Sequence, residues 1–439
     1  MNKIFKDIQI VVMAKFVTIF FGFINSIFII RLIGAEGNGI YAKLMATSEL
    51  FMLLTTLNST LGVTYFSAKE NANYSKIMMI AYRIILASLF ITAVVLFILP
   101  HTNIYSALVP IENPIFYSIM VIAVILFLEL RQTYSSILKG RKNFNDLFYA
   151  NIFYSAIRFF LFGSLVLVQN YIGLTLEKVI LLHVFTLLLH AGATYYFYNK
   201  EFQISYNQPL SFKEDYKPFL QYSGSSFVAI LGTFLTNRAN VWLIAFFLST
   251  EELGYYALAA YFFSLITQLS STLRNVLLPY LVSGNQSEKH EYLVLFSRIN
   301  MTATLIIAIV ITSFADWLIP LLYGANFLKA TLTIKILLAA ASIHNFRAMF
   351  AIYFYATNKV KYNVIANYLA LATMLLAGIL LIPEHGIVGA AISALMSYAV
   401  NMLLVVFIGI WFEKLPVANY LLLTFGDVKK IRSGLVKPK

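Results

Sequence analysis

Twelve separate runs of roughly 20 or more mostly apolar residues divide this 439-residue chain, and each is long enough to cross a hydrocarbon core. They lie near 8–30, 40–66, 79–99, 114–138, 147–168, 179–198, 218–248, 254–281, 292–319, 330–356, 363–382 and 386–412. Backbone polar groups inside lipid must bond one another, which leaves helices or closed barrels, and the alternation of a barrel strand is absent. An all-α polytopic membrane protein is therefore expected. Composition agrees: with 60% apolar and 12% charged residues, a water-soluble fold would have to expose large apolar patches. The absence of cysteine excludes disulfides and thiolate metal sites. The first run follows Lys3 and Lys6, contains Lys15 and lacks a small-residue cleavage site, so it reads as a retained span and not a signal peptide.

A net charge of +13 invites a nucleic-acid reading, but the placement of the charges decides otherwise. Numbering the loops alternately, one side holds 21 Lys and Arg, from Lys3 and Lys6 through Lys69, Lys76 and Arg83 to six in the tail. The opposite side holds three: Arg31, Lys178 and Lys329. Such a split marks the cytoplasmic side, and it places both termini there.

The chain also repeats itself weakly at half-length. Gly39-Ile40-Tyr41-Ala42 resembles Gly254-Tyr255-Tyr256-Ala257 at an offset of 215; Ala150-Asn151 matches Ala366-Asn367 and Arg131 matches Arg347, both at 216. An even number of spans per half makes this a parallel repeat, with a pseudo-two-fold axis along the membrane normal and a site expected between six-helix lobes. The expected divisions are 1–208, 209–415 and a basic cytoplasmic tail, 416–439.

Eight basic residues remain within the spans: Lys15, Lys43, Arg131, Arg158, Arg238, Arg274, Lys335 and Arg347. Glu49 and Glu129 are the acids set against them. A lipid-facing charge at mid-bilayer costs roughly 2.5–3.5 kcal/mol, so a surplus of six would cost on the order of 15–20 kcal/mol. That exceeds the stability of most proteins. Most of these residues must face water or snorkel.

Helical spacing favours a wet cavity for the deeper ones. Lys15, Thr18, Gly22, Asn25 and Ser26 share one face, as do Ser264, Thr267, Gln268, Ser271, Arg274 and Asn275. Asn151, Tyr154, Ser155 and Arg158 form a third stripe; Thr233, Thr236, Asn237 and Asn240 form a fourth, with Arg238 beside it. The competing reading is that Ser, Thr and Asn join helices, while Lys43 and Lys335 snorkel from span ends. A cationic cavity selects an anionic cargo, and arginine offers a planar fork for phosphate.

The stretches RLIGAEGNGIYA (31–42), LKGRKNFNDLFYAN (138–151), TNRANVWLIAFFLSTEELGYYALA (236–259) and GIVGAAISALMSYAVNMLL (386–404) carry a family resemblance. They resemble polysaccharide transporters of the multidrug/oligosaccharidyl-lipid/polysaccharide (MOP) exporter superfamily, in particular flippases of the O-antigen (Wzx) type. The resemblance implies two six-helix lobes that alternate in access across a bacterial inner membrane. It implies an undecaprenyl-pyrophosphate-linked oligosaccharide as cargo, taken from the cytoplasmic leaflet. Membrane lipid and other polysaccharide assembly proteins are the further partners, and neither an enzymatic activity nor a cofactor is implied. The pyrophosphate is expected on Lys15, Arg158, Arg238, Arg274, Arg131 and Arg347, with Asn25, Asn237, Gln268 and Ser271 lining the polar space.

Energy coupling needs a titratable group in the membrane, and Glu49 and Glu129 are the candidates; a salt bridge to a neighbouring basic span is the alternative for both. His183 and His190, seven apart on one face, read as helix-contact residues. Gly34, Gly37 and Gly39 read as a turn, because the Gly-Lys-Ser/Thr ending of a phosphate loop is missing. Two rival functions remain. A multidrug exporter of the same superfamily would carry cations and need acids in its cavity. A membrane polysaccharide polymerase would need a large outer loop, and none here exceeds about 16 residues.

Overall fold

In the computed structural model, residues 2–98, 105–110, 112–171, 173–202, 205, 208–283, 286–415 and 420–427 are described. Side chains are described for all of these except 2–14, 107, 269, 275–276, 279–280, 282–283 and 286–288. Among the described residues every regular element is helical. The α-helices, in order, are α1 (Asn2–Thr56), α2 (Ser59–Ser67), α3 (Tyr74–Ile98), α4 (Tyr105–Leu108), α5 (Pro114–Gly140), α6 (Phe144–Val168), α7 (Leu176–Glu201), α8 (Lys217–Phe247), α9 (Thr250–Ser283), α10 (Gln286–Tyr323), α11 (Thr331–Ala356) and α12 (Val360–Trp411), with short helical turns at Phe212–Tyr216 and Ala325–Ala330.

The helix boundaries reproduce the expected spans, with two compressions. At about 1.5 Å per residue, a straight helix the length of α1 (55 residues) or α12 (52 residues) would be more than twice the thickness of a hydrocarbon core. Each is broken by one glycine in the left-handed region: Gly34 (φ 67°) and Gly386 (φ 58°). There a side chain would be strained, so a single Gly serves as the whole connection between two spans. The expected turn is thus confined to Gly34; Gly37 and Gly39 stay helical. Nine helices among the described residues are long and apolar enough to cross a membrane. Two of them hold a pair of spans each, and α9, 34 residues with a polar stripe, completes twelve.

Two further junctions have local causes. Leu57 and Asn58 both adopt positive φ (49° and 59°), which separates α2 from α1 inside the expected second span. Asn58 nevertheless donates from Nδ2 to Ser226 Oγ on α8 at 3.0 Å. At the start of α5, Asn113 accepts from the Phe116 amide and Pro114 occupies the first turn, where its missing N–H costs nothing.

The described chain forms two compact units: Met1–Phe234 with Val241–Gly254, and Leu235–Asn240 with Tyr255–Lys439. The first has a core of α1, α3, α5 and α7, built on Leu44, Val121, Val124, Ile125, Ile180 and Leu187. The second has a core of α9 to α12, built on Leu277, Leu293, Met349, Phe354 and Val405, with Leu415 and Tyr420 folded onto it. Large apolar side chains left exposed along the spans, such as Phe90, Phe97, Phe160 and Leu380, suit lipid as solvent.

Candidate functional site: arginine clusters inside the spans

In the first unit, same-face residues of α5, α6 and α7 converge with the second limb of α1. Arg158 donates from Nη1 to the Tyr154 hydroxyl at 3.1 Å, one turn earlier on α6. The Tyr41 hydroxyl is near enough to interact with the same guanidinium. The cation also sits 5.6 Å from the ring centres of Tyr154 and Phe162. Tyr41 meets His183 edge-on, with its hydroxyl 3.2 Å from Nε2. Two turns along α7, His190 stacks on Tyr154 at 4.0 Å, and its Nε2 lies 3.2 Å from Asn151 Oδ1. Arg131 and Arg158 are both near enough to His190 to act on it electrostatically. The two histidines are helix-contact residues, as expected, but what they contact is the arginine cluster.

In the second unit, buried Arg347 donates from Nη2 to Asn367 Oδ1 at 2.9 Å, and Asn401 Nδ2 reaches the same oxygen at 3.0 Å. Arg274, half-buried on α9, has Ser270 Oγ at 3.5 Å and interacts electrostatically with Arg347 and His344. His344 packs edge-on to Tyr398 at 5.1 Å, and Tyr398 stacks on Phe263 at 5.0 Å. The Tyr398 hydroxyl donates to Asn237 Oδ1 at 2.9 Å. Arg238, next in sequence, interacts with Tyr256 and Tyr398. Asn240 donates to the Tyr256 hydroxyl and to the Ala390 carbonyl, joining α8 to α9 and α12.

Arg131, Arg158, Arg274 and Arg347 share one property: among the described residues none forms an ion pair, and their hydrogen-bond partners, where present, are neutral. Arg131 and Lys15 are half-buried and make no hydrogen bond among those residues. Nε of Arg158 and of Arg347 is buried without an acceptor. A guanidinium held on neutral oxygens keeps its full charge and has donors to spare. That arrangement suits a phosphate oxygen and repels a cation.

The other expected residues divide. Asn25 is buried with Oδ1 unsatisfied, and Gln268 is half-buried. Ser271 is spent on its own helix, donating to the Gln268 carbonyl at 2.8 Å. The side chain of Asn275 lies outside those described. The half-length match of Arg131 with Arg347 is one of position and not of bonding, since among the described residues only Arg347 is hydrogen-bonded.

Three charge expectations change. Lys43 does not snorkel: it is buried and donates to the Ser106 carbonyl of α4 at 3.0 Å. Lys335 pairs with Asp316 at 2.7 Å, so a third acid belongs to the span tally. Among the described residues Glu129 forms no salt bridge to a basic span. It is 2% exposed, Oε1 accepts from Ser88 Oγ at 2.9 Å, and Oε2 has no partner. Ser88 Oγ in turn lies 2.6 Å from Thr55 Oγ1. The carboxyl group therefore has one neutral hydrogen-bond donor and, among the described residues, no counter-charge. Glu129→Gln, which keeps an acceptor for Ser88, should keep thermal stability within about 0.5 kcal/mol, whereas Glu129→Leu removes that bond, leaves Ser88 on Thr55, and should cost roughly 0.5–1.5 kcal/mol. A large loss in the glutamine variant would mean that the group is ionised and paired.

With this geometry in place, comparison with known proteins gives three likenesses. Over 325 residues the chain is 24% identical to a protein of Haloferax volcanii described as a probable low-salt glycan biosynthesis flippase, Agl15. That stretch covers 71% of this chain and 66% of the relative, so the chain spans just under two thirds of the relative's length. The lipid II flippase MurJ, in an inward closed conformation, superposes with a TM-score of 0.72 at 13% identity, covering 98% of this chain and 93% of MurJ. The eukaryotic MATE transporter AtDTX14 superposes with a TM-score of 0.64 at 14% identity, covering 99% of each chain. At such identities the structures speak for the fold alone, which this chain shares with MurJ and with a MATE transporter. Residues 4–285, well over half of the chain, match the family of polysaccharide biosynthesis proteins, and the chain belongs to it.

Proposed function

We propose that this protein is a flippase that carries an undecaprenyl-pyrophosphate-linked oligosaccharide, an O-antigen repeat unit or a similar glycan, from the cytoplasmic to the periplasmic leaflet of a bacterial inner membrane by alternating access. One observation carries the reading: among the described residues Arg131, Arg158, Arg274 and Arg347 have no acidic partner, so an anionic head group is the missing counter-charge. Lys15, Arg131 and Arg158 in one unit, and Arg238, Arg274 and Arg347 in the other, are the candidate pyrophosphate ligands, each unit taken by itself. Asn, Ser, Thr and Tyr side chains receive the sugar, while the polyprenyl tail stays in lipid. The loop charges support cytoplasmic termini. Glu129, buried with Oε2 unpartnered, is a better proton-coupling candidate than half-buried Glu49.

Supplying the chain to a flippase-null strain tests this. Lipid-linked single repeat units trapped on the inner leaflet should reach the outer leaflet and be built into polymer. Continued inner-leaflet accumulation at good expression would overturn the proposal. In a strain deleted for this gene, accumulation on the outer leaflet would instead mark a polymerase. Saturable binding of a cationic dye by the purified protein would mark a multidrug exporter, the reading that the MATE-like fold keeps open.

A further inference from the structure

Beyond the spans, the chain doubles back. After α12 ends, residues 420–427 lie along α10. The Tyr420 ring enters the second unit's apolar core, 5.1 Å from the Phe350 ring, and its carbonyl accepts from Ser297 Oγ at 3.2 Å. The Leu423 amide donates to Thr302 Oγ1 at 3.0 Å. Arg298 donates to Asp427 Oδ2 at 2.8 Å, and the Thr424 hydroxyl and amide bond the same carboxylate at 2.7 and 2.9 Å. Burial pushes the Asp427 carboxyl up, but the Thr424 bonds and the Arg298 guanidinium outweigh this and hold it below the usual aspartate range. The clip is therefore fully ionised at neutral pH.

This clip has a geometric consequence. With Tyr420 and Asp427 turned into the protein, Leu421, Leu422 and Phe425 are turned out, and Phe425 is 97% exposed. A non-spanning segment that uses its polar groups to fix large apolar side chains outward is costly in water. Trp411 and Phe412, both exposed at the end of α12, mark the level of a membrane interface. Lys414 precedes the segment, and Lys429, Lys430 and Arg432 follow it in sequence. Apolar side chains flanked by basic ones match an anionic lipid surface, where both terms add.

We infer that residues 420–427 are a surface anchor that inserts Leu421, Leu422 and Phe425 into the headgroup layer of an anionic bilayer. The anchor ties α10 and the end of α12 to the lipid surface. It stands independently of the cargo.

The chain contains no cysteine, so single nitroxide labels can be introduced without removing a native thiol. Leu422→Cys and Phe425→Cys are labelled in the full chain in nanodiscs of anionic lipid, with Lys361→Cys, on an exposed loop-end position, as the aqueous reference. Labels at 422 and 425 should collide with oxygen several-fold more, and with a water-soluble nickel chelate several-fold less, than the label at 361. Moving to zwitterionic lipid should shrink that contrast. Nickel accessibility equal to that of position 361 would overturn the anchor, as would shielding from both quenchers, which would place a protein partner or second copy there. An unchanged contrast in zwitterionic lipid would overturn the anionic preference.

Discussion

Replacing Arg131 with glutamine should leave the protein as stable as wild type or slightly more so, while glycan export falls by roughly ten- to a hundredfold. Arg131 is half-buried in α5 and makes no hydrogen bond among the described residues, so folding gains no bond from it. Its charge also repels that of Lys139, two turns along α5. Glutamine keeps much of the volume and removes that cost. For the cargo the sign reverses. A charge-assisted bond from guanidinium to phosphate is worth roughly 1.5–3 kcal/mol, and about 1.4 kcal/mol is tenfold in affinity. Arg347→Gln serves as the contrast, because it breaks a 2.9 Å bond to Asn367 and should lose stability as well as transport. Thermal unfolding in detergent, read beside the leaflet position of lipid-linked glycan at matched expression, separates the two effects. Wild-type export by the Arg131 variant would remove this residue from the cargo site. Wild-type export by an Arg158→Ala, Arg274→Ala double variant would remove the clusters altogether.

The span pattern was legible because it answers to a rule with no local exceptions: a helix in lipid needs enough apolar length, and no side-chain packing has to be known. What hydropathy misses is how little chain a connection needs. Arg31, Glu36 and Asn38 made 31–39 look like a loop, yet the backbone leaves helical geometry only at Gly34. The break at Leu57 and Asn58 is equally invisible, since its neighbours have the composition of an ordinary span. The arginines were legible as charges that lipid rejects. Of their partners, Tyr154 was legible in the Arg158 stripe; Tyr41 and Asn367 were not, because they are neutral residues of common types whose meeting with the arginines depends on tertiary packing. Lys43 shows the same limit from the other side. Its nearness to a span end suggested snorkelling, but its partner is a carbonyl 63 residues away in sequence. Glu129 is the instructive error: pairing an acid with a base is a sound habit when charges are counted, and here the acid found a serine.

The half-length match between Gly39 and Gly254 makes the second strong prediction, and it runs against helix propensity. Both glycines sit inside helices at regular φ, where alanine is ordinarily better by about 1 kcal/mol. Yet a Cβ on Gly39 would fall on the Thr250 carbonyl, and a Cβ on Gly254 on the Ala35 carbonyl. The second limb of α1 and the first turns of α9 thus cross backbone to backbone within the first unit, and Asn38 Nδ2 donates to the Gly254 carbonyl at 2.7 Å across the crossing. A backbone oxygen cannot rotate away as a flexible side chain would, so the whole helix must move. Overpacking of this kind costs typically 1–3 kcal/mol, and occasionally more; Gly39→Ala and Gly254→Ala should each lie at or above about 3 kcal/mol, well beyond the propensity gain. Gly192→Ala and Gly224→Ala supply the control, since nothing lies within 4 Å of the new Cβ in either helix. These two should be neutral or stabilising by up to about 1 kcal/mol. Thermal unfolding of the four purified variants decides the matter. If Gly39→Ala melts with the controls, the close crossing is wrong, and the Gly-x-Tyr-Ala similarity loses its physical reason.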